Sequence, residues 1–260
     1  MGEPNTPGQQ ILRACGLSLH DDPTCYLAGD SHHYERREIG PSMHVIAGGG
    51  GSFTHGTRLR RPRRGRTPAC AFPDAAVSRR LAISVPLQLV LGTAGLFPHA
   101  GCMALAALQV SMFGAGLLAG WLTTAAVAAA AVFFMYQAVI KRREHPWATL
   151  AVALAHGPLL ALAPIGVGWL LVQFMPALAS GMLDLAAMAL VGPLIIGLFL
   201  LVLVMTGLEH HHAYAVLGHP GYKFFVRLCA HPDGRVEAWT IGKEDTLGEG
   251  PPRLIDRFQW

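Results

Sequence analysis

The chain has 260 residues, of which 52% are hydrophobic and 14% charged, with a formal net charge of +4. Soluble domains carry about 25% charged residues, so this composition excludes an ordinary soluble protein, and the apolar middle excludes a disordered chain. Eleven of the 20 Lys and Arg precede Leu81, three are Lys141, Arg142 and Arg143, and six follow Leu208. Between Leu81 and Leu208 the acidic residues are Glu144 and Asp184 alone. An uncharged block between two charged ends predicts a membrane region flanked by polar domains.

Residues 1–10, MGEPNTPGQQ, have no apolar core of signal-peptide length, so insertion is expected to depend on internal segments. The first structured elements are expected at Thr24-Cys25-Tyr26-Leu27-Ala28, a short strand running into Gly29-Asp30-Ser31-His32-His33-Tyr34, and at Met43-His44-Val45-Ile46-Ala47, a second strand. The second strand ends in Gly48, Gly49, Gly50 and Gly51, followed by Ser52-Phe53-Thr54-His55. Acidic and imidazole groups directly after a strand stand at its C-terminal edge, where α/β sheets bind ligands. Imidazole and carboxylate suit Zn, Mn or Fe. Four glycines allow close backbone approach or left-handed torsions beside such a site. The five cysteines, Cys15, Cys25, Cys70, Cys102 and Cys229, are scattered with no CxxC pair, which reads as reduced thiols rather than a zinc or redox motif.

Residues 58–80 form a basic linker carrying Arg58, Arg60, Arg61, Arg63, Arg64 and Arg66. No aromatic side chain interleaves with this run to stack bases, which argues against nucleic acid. Attraction of a juxtamembrane basic segment to anionic lipid is expected instead. The apolar region then covers 81–208. The charge-free run 102–140 would reach roughly 58 Å as one helix, nearly twice the ~30 Å hydrocarbon core. Two spans near 103–120 and 123–140 account for it, and 148–175 and 181–208 are each long enough for one more. Residues 81–97 are weaker, holding Pro86, Gln88, Gly92 and Gly95, and fit an interfacial or re-entrant helix; counting them as a span beside one overlong helix is the alternative. Basic residues at 58–80 and 141–143 both favour the cytoplasmic side. The expectation is a helical multipass region of about four spans in the plasma or inner membrane, with both termini cytoplasmic. Asp184 and His156 are ionisable groups set within its apolar runs, read as structural or interfacial; repeats and matched broken helices, which a transporter shows, are not evident.

After the membrane block, Glu209-His210-His211-His212 reads as an interfacial cluster, because successive residues on a helix point about 100° apart and cannot all grip one ion. YKFFVRLCAH and RVEAWTIGKE flank Pro232-Asp233-Gly234 and predict a β-hairpin within the 209–260 tail. A lone hairpin is marginal in water, so it is expected to pack on something.

The stretch CYLAGDSHHYERREIGPSMHVIAGGGGSFTHGT, residues 25–57, resembles the last active-site segment of calcineurin-like metallophosphoesterases. It is most similar to a membrane-associated subgroup in which a GDxHHY turn precedes an AGGGG strand end, and the tail from His212 to Lys243 resembles that subgroup's segment after the membrane. The family closes its site with GHxH after a strand. Aligned on Gly29, His32 takes the place of the second histidine, a metal ligand, and Asp30 that of the first, a departure from the pattern. His33 is an added imidazole, and His55 falls where the subgroup places a histidine after its glycines. The resemblance implies that residues 1–57 are the C-terminal piece of an α/β metallophosphoesterase domain and that the hairpin docks on that domain. It implies a divalent metal (Mn, Fe or Zn) in the complete enzyme and phosphoester hydrolysis as the reaction. Asp30-Ser31-His32 also spells DxH, the family's first motif, but the GDxxD and GNH[DE] segments this would require do not follow. With the earlier ligand motifs missing from residues 1–23 as well, the chain is expected to be inactive alone, its partners being the lipid bilayer and a missing N-terminal catalytic portion. The competing readings are a non-catalytic membrane scaffold and, third, a small transporter.

Overall fold

The computed structural model describes residues 11, 13–17, 23–29, 31–51, 53–57, 59, 67–112, 146–174, 177–207, 212–218 and 220–260. The chain divides into two compact units. One is made of Met1–Arg79 together with His219–Trp260, and the other of Arg80–Gly218.

The first unit holds two sheets. Strands β1 (Cys25–Ala28), β2 (Tyr34–Ile39), β3 (Ser42–Ala47) and β4 (Cys70–Phe72) pair in the order β1-β3-β2-β4. β2 and β3 form a tight hairpin that turns at Gly40, whose φ of 60° is a left-handed torsion open to glycine at little cost. β1 lies parallel to β3, with Ala28 opposite Ile46. The second sheet contains β5 (Lys223–Ala230), β6 (Val236–Lys243) and β7 (Arg253–Gln259), all antiparallel. β5 and β6 close at Pro232-Asp233-Gly234, where Gly234 has φ 87° and its N–H donates to the His231 carbonyl at 3.0 Å. The expected hairpin is thus two strands of a three-stranded sheet.

The two sheets share one core. Tyr34, Val45 and Phe72 from the first are buried with Phe224, Ala238 and Phe258 from the second. Tyr34 stacks edge-on to Phe224 at 5.7 Å between centroids, and Phe72 to Tyr222 at 5.4 Å. A charged contact crosses the same interior. Tyr34 donates its hydroxyl to Asp256 Oδ2 at 2.7 Å, and Arg36 donates Nε to the same oxygen at 2.7 Å and Nη2 to Oδ1 at 3.3 Å. The Arg36 guanidinium also lies 5.4 Å above the Phe258 ring. The segments before and after the apolar block therefore fold together as one body.

The second unit is helical. It contains most of α1 (Ala75–Val90), then α2 (Phe97–Met112), α3 (Pro146–Val172), α4 (Ala177–Thr206) and the single turn α5 (His212–Ala215). Asp74 caps α1, accepting the Val77 N–H at 2.8 Å. α2 and α3 both pack on α4. The packing uses small residues: a Cβ on Gly192 would strike the Cys102 side chain, and one on Gly197 would strike the Pro86 backbone. His156 of α3 stacks on Phe199 of α4 at 4.0 Å. His156 and Asp184 are both buried within this unit.

The four-span expectation is corrected here. Among the described residues one helix, Met182–Thr206, is long and apolar enough to cross a membrane. The spans placed at 103–120 and 123–140 fall mostly on 113–145, outside the described residues, and what is described of them is the end of α2. The side chains of α3 are described only in part. Hydropathy measures how long a run is apolar, not where helices break. Gly92 and Gly95, with φ of 75° and 85°, interrupt the chain between α1 and α2, so α2 starts at Phe97, ahead of the expected 103. Of the histidine cluster, Glu209, His210 and His211 lie outside the described residues, and His212 opens α5.

Candidate functional site

Because β1 and β3 are parallel, their C-terminal ends reach the same edge of the sheet. The 29–33 and 48–55 loops both leave from that edge, so local strand direction brings the two histidine-bearing segments together. Gly48 is where they touch. A Cβ there would strike the carbonyl oxygens of Gly29 and Ser31, so a side chain at this position excludes the observed loop. Gly49 is held by a second contact, its missing Cβ falling on the Phe224 ring. Gly50 and Gly51 have open space around them.

His32 and His55 are bound to each other. The His32 N–H donates to His55 Nδ1 at 2.9 Å, and the His55 N–H donates to the His32 carbonyl at 3.2 Å. Their rings stack, with centroids 4.5 Å apart and planes within 4°. Phe53 stands edge-on to both, at 4.9 Å from His32 and 4.8 Å from His55. The loop carrying Phe53 and His55 is anchored by Thr54, whose buried hydroxyl donates to the Gly221 carbonyl at 2.7 Å. Three residues on, Thr57 receives a fixed position from Ser78, whose Oγ accepts the Thr57 N–H at 2.9 Å.

This geometry separates the candidate ligands. An imidazole whose Nδ1 accepts a hydrogen bond carries its proton on Nε2 when neutral, so His55 presents no free lone pair in this arrangement. A metal-bound histidine has the reverse pattern, ligating with one nitrogen and donating from the other. His55 therefore positions His32. The His32 Nδ1 is buried and has no hydrogen-bond partner among the described residues, which leaves it free to ligate. His33 points elsewhere: strand alternation puts it on the side of Glu35 and Arg37, with its Nε2 3.8 Å from Glu35 Oε2. Asp30 lies outside the described residues.

Glu35 is the centre of that second group. It is buried, and the Arg37 guanidinium donates to its other oxygen. Burial alone would raise the carboxyl, but the nearby His33 imidazole and the hydrogen-bonded Arg37 guanidinium overcome it and hold the group at about 2. Glu35 and Arg37 were not singled out from the sequence. The signal was present in HHYERREI, where positions 33, 35 and 37 share one face once that segment is read as a strand.

No three His, Cys, Asp or Glu side chains converge among the described residues. His32 supplies one available imidazole nitrogen, and the donors described do not by themselves hold a divalent cation. Two open hollows among the described residues of this unit lie beside β4, β6 and β7 and include none of the histidine-loop residues.

No protein-family model matches the chain. No curated protein and no solved structure matches it either.

Proposed function

We propose that residues 24–57, with the C-terminal sheet, form the closing segment of a membrane-attached, calcineurin-like metallophosphoesterase domain whose remaining metal ligands lie outside this segment. The reaction of the completed domain is metal-assisted phosphoester hydrolysis, with His32 contributing to the metal shell and the chain inactive alone. The observation that carries this reading is the parallel β1–β3 pair, which delivers the Gly29 and Gly48 loops to one sheet edge with the His32 Nδ1 unengaged. A two-metal hydrolase needs both ions held about 3.5–4 Å apart by converging donors, more than one imidazole provides. The shortage of donors among the described residues favours a second reading, a non-catalytic membrane scaffold built on the same shared core.

Membrane attachment is supported by α4. Leu190, Leu194, Leu198, Val202 and Met205 form an exposed apolar stripe at spacings of three and four, and α4 is mostly uncovered rather than enclosed as a soluble core helix would be. The segments flanking the helical unit share one core, so they stand on the same side of any bilayer, and the chain between them crosses an even number of times. In this reading α4 is one crossing, its return lies elsewhere in the apolar block, and the arginines at 58–80 place the flanks in the cytoplasm.

The deciding experiment reads the coding frame upstream of Met1 for DxH, GDxxD and GNH[DE] and assays the chain, with and without that upstream product, against a generic phosphoester in Mn2+. Turnover only in the joint preparation, lost with His32→Ala, is expected. An upstream frame without these motifs, together with no turnover in any preparation, would leave the scaffold.

A further inference from the structure

The helix α1 departs from the others in how its ends are fixed. The chain passes from the sheet unit into the helical unit at Arg80, near the start of α1, and leaves it at Gly218. The end of α1 is tied to that departure: Thr93 donates its hydroxyl to the Val216 carbonyl at 2.8 Å, and Gly218 sits against the Thr93 side chain. The start and finish of the helical unit therefore mark the two ends of the α1 segment. Both points adjoin segments folded into one core, so both stand on the same side of a bilayer. A helix with both ends on one side lies along the membrane and does not cross it.

Its length and side chains agree. Sixteen residues reach about 24 Å, short of the ~30 Å hydrocarbon core. Ala82, Val85 and Leu89 are buried, and Pro86 rests on Gly197. The opposite face carries Ile83, Leu87 and Leu91 at 56%, 59% and 65% exposure, spaced by four and therefore in one stripe. Leu96, just before α2, and Phe97, its first residue, are exposed as well. Arg79 and Arg80 are exposed at the head of the stripe, directly after the arginine run of the linker. An apolar stripe headed by paired arginines complements an apolar boundary beneath negatively charged headgroups.

We infer that α1 is an interfacial helix that lays Ile83, Leu87 and Leu91 into the acyl boundary of an anionic lipid leaflet, with Arg79 and Arg80 on the headgroups. This inference rests on the membrane reading above, and the test separates the two. Nitroxides are attached singly at positions 83, 87, 91 and 198 in a full-length chain freed of its five cysteines, and immersion depth is measured by oxygen and nickel-chelate relaxation. The vesicles are phosphatidylcholine alone or mixed with phosphatidylserine at roughly two to one. An interfacial α1 gives three similar, shallow depths at 83, 87 and 91, about 5–10 Å below the headgroups. A crossing α1 gives a staircase of about 6 Å per four-residue step, which overturns the inference. Phosphatidylserine deepens position 83, and Arg79→Gln with Arg80→Gln removes that dependence; a depth indifferent to both overturns the anionic partner. Position 198, on the outward face of α4, reads deep if the membrane reading holds, and exposure of 198 to water overturns that reading itself. Carbene photolabelling of the unmodified chain from a lipid headgroup is the second measurement: labelling of Ile83, Leu87 and Leu91 together supports the inference, and its absence with α4 labelled refutes it.

Discussion

Asp256 is the most informative residue to change in the sheet unit, because it joins the last strand of the chain to β2. Its carboxylate accepts from Tyr34 and twice from Arg36, and the Arg36 and Asp256 side chains are 13% and 9% exposed. Asp256→Asn keeps the shape but removes the charge and one acceptor, leaving a guanidinium largely cut off from water. Breaking a buried pair from one side costs about 3–5 kcal/mol. Glu38, 3.0 Å from Arg36 Nη1 and exposed, offsets part of this, so about 3 kcal/mol is expected. Hydrogen exchange on the full chain in detergent reads it directly: amides of β2, β6 and β7 that exchange by opening of the unit become about 100-fold faster. The paired change Arg36→Met with Asp256→Leu restores most of the protection, since well-packed apolar groups replace buried ion pairs at little cost. A rise below about threefold in the single variant, or a double variant no better than the sum of its parts, would refute the assignment of the pair as the bridge between sheets.

Three further outcomes follow from the same geometry. Glu35 is held at about 2, below its ordinary 4.5, so it contributes stability above pH 4.5 that is lost as pH falls toward 2; after allowance for solvent screening this is about 2 kcal/mol, and Glu35→Gln removes that acid dependence from a pH series of hydrogen exchange in β2. Gly48→Ala forces its Cβ onto the Gly29 and Ser31 carbonyls and costs about 1–3 kcal/mol, while Gly50→Ala, facing open space, changes thermal stability by less than about 0.5 kcal/mol. Gly197→Val drives α1 from α4 at Pro86 and lowers the melting temperature in detergent, whereas Gly166→Ala, which meets nothing, leaves it unchanged.

Features written in adjacent residues were legible in the sequence. β1, β3 and the Pro232-Asp233-Gly234 reversal depend on alternation and on glycine torsions, which the local sequence specifies. β7 was missed because its pattern misleads: Asp256 faces the interior, and only Tyr34 and Arg36, more than 200 residues away, make a carboxylate acceptable there. β4 has three residues, too few for any period to show. The candidate site was legible as a pair of loops and illegible as chemistry. His32, His33 and His55 are alike in the sequence, and what separates them is a backbone N–H that sets the tautomer of one and a strand pleat that turns another toward Glu35. In the apolar block, composition gave length without boundaries, so the helix ends set by Gly92 and Gly95 fell in unexpected places.

The sheet unit is assembled from two pieces separated by the whole of Arg80–Gly218. Closing an unstructured connection of roughly 140 residues costs about 4 kcal/mol in chain entropy, comparable to the net stability of a small domain. A folded helical unit removes most of that cost, because the Thr93–Val216 hydrogen bond and the Gly218 contact hold its point of departure to the α1 segment from which it began. The helices thus act on the sheets through the chain ends they deliver, before any contact between side chains is considered.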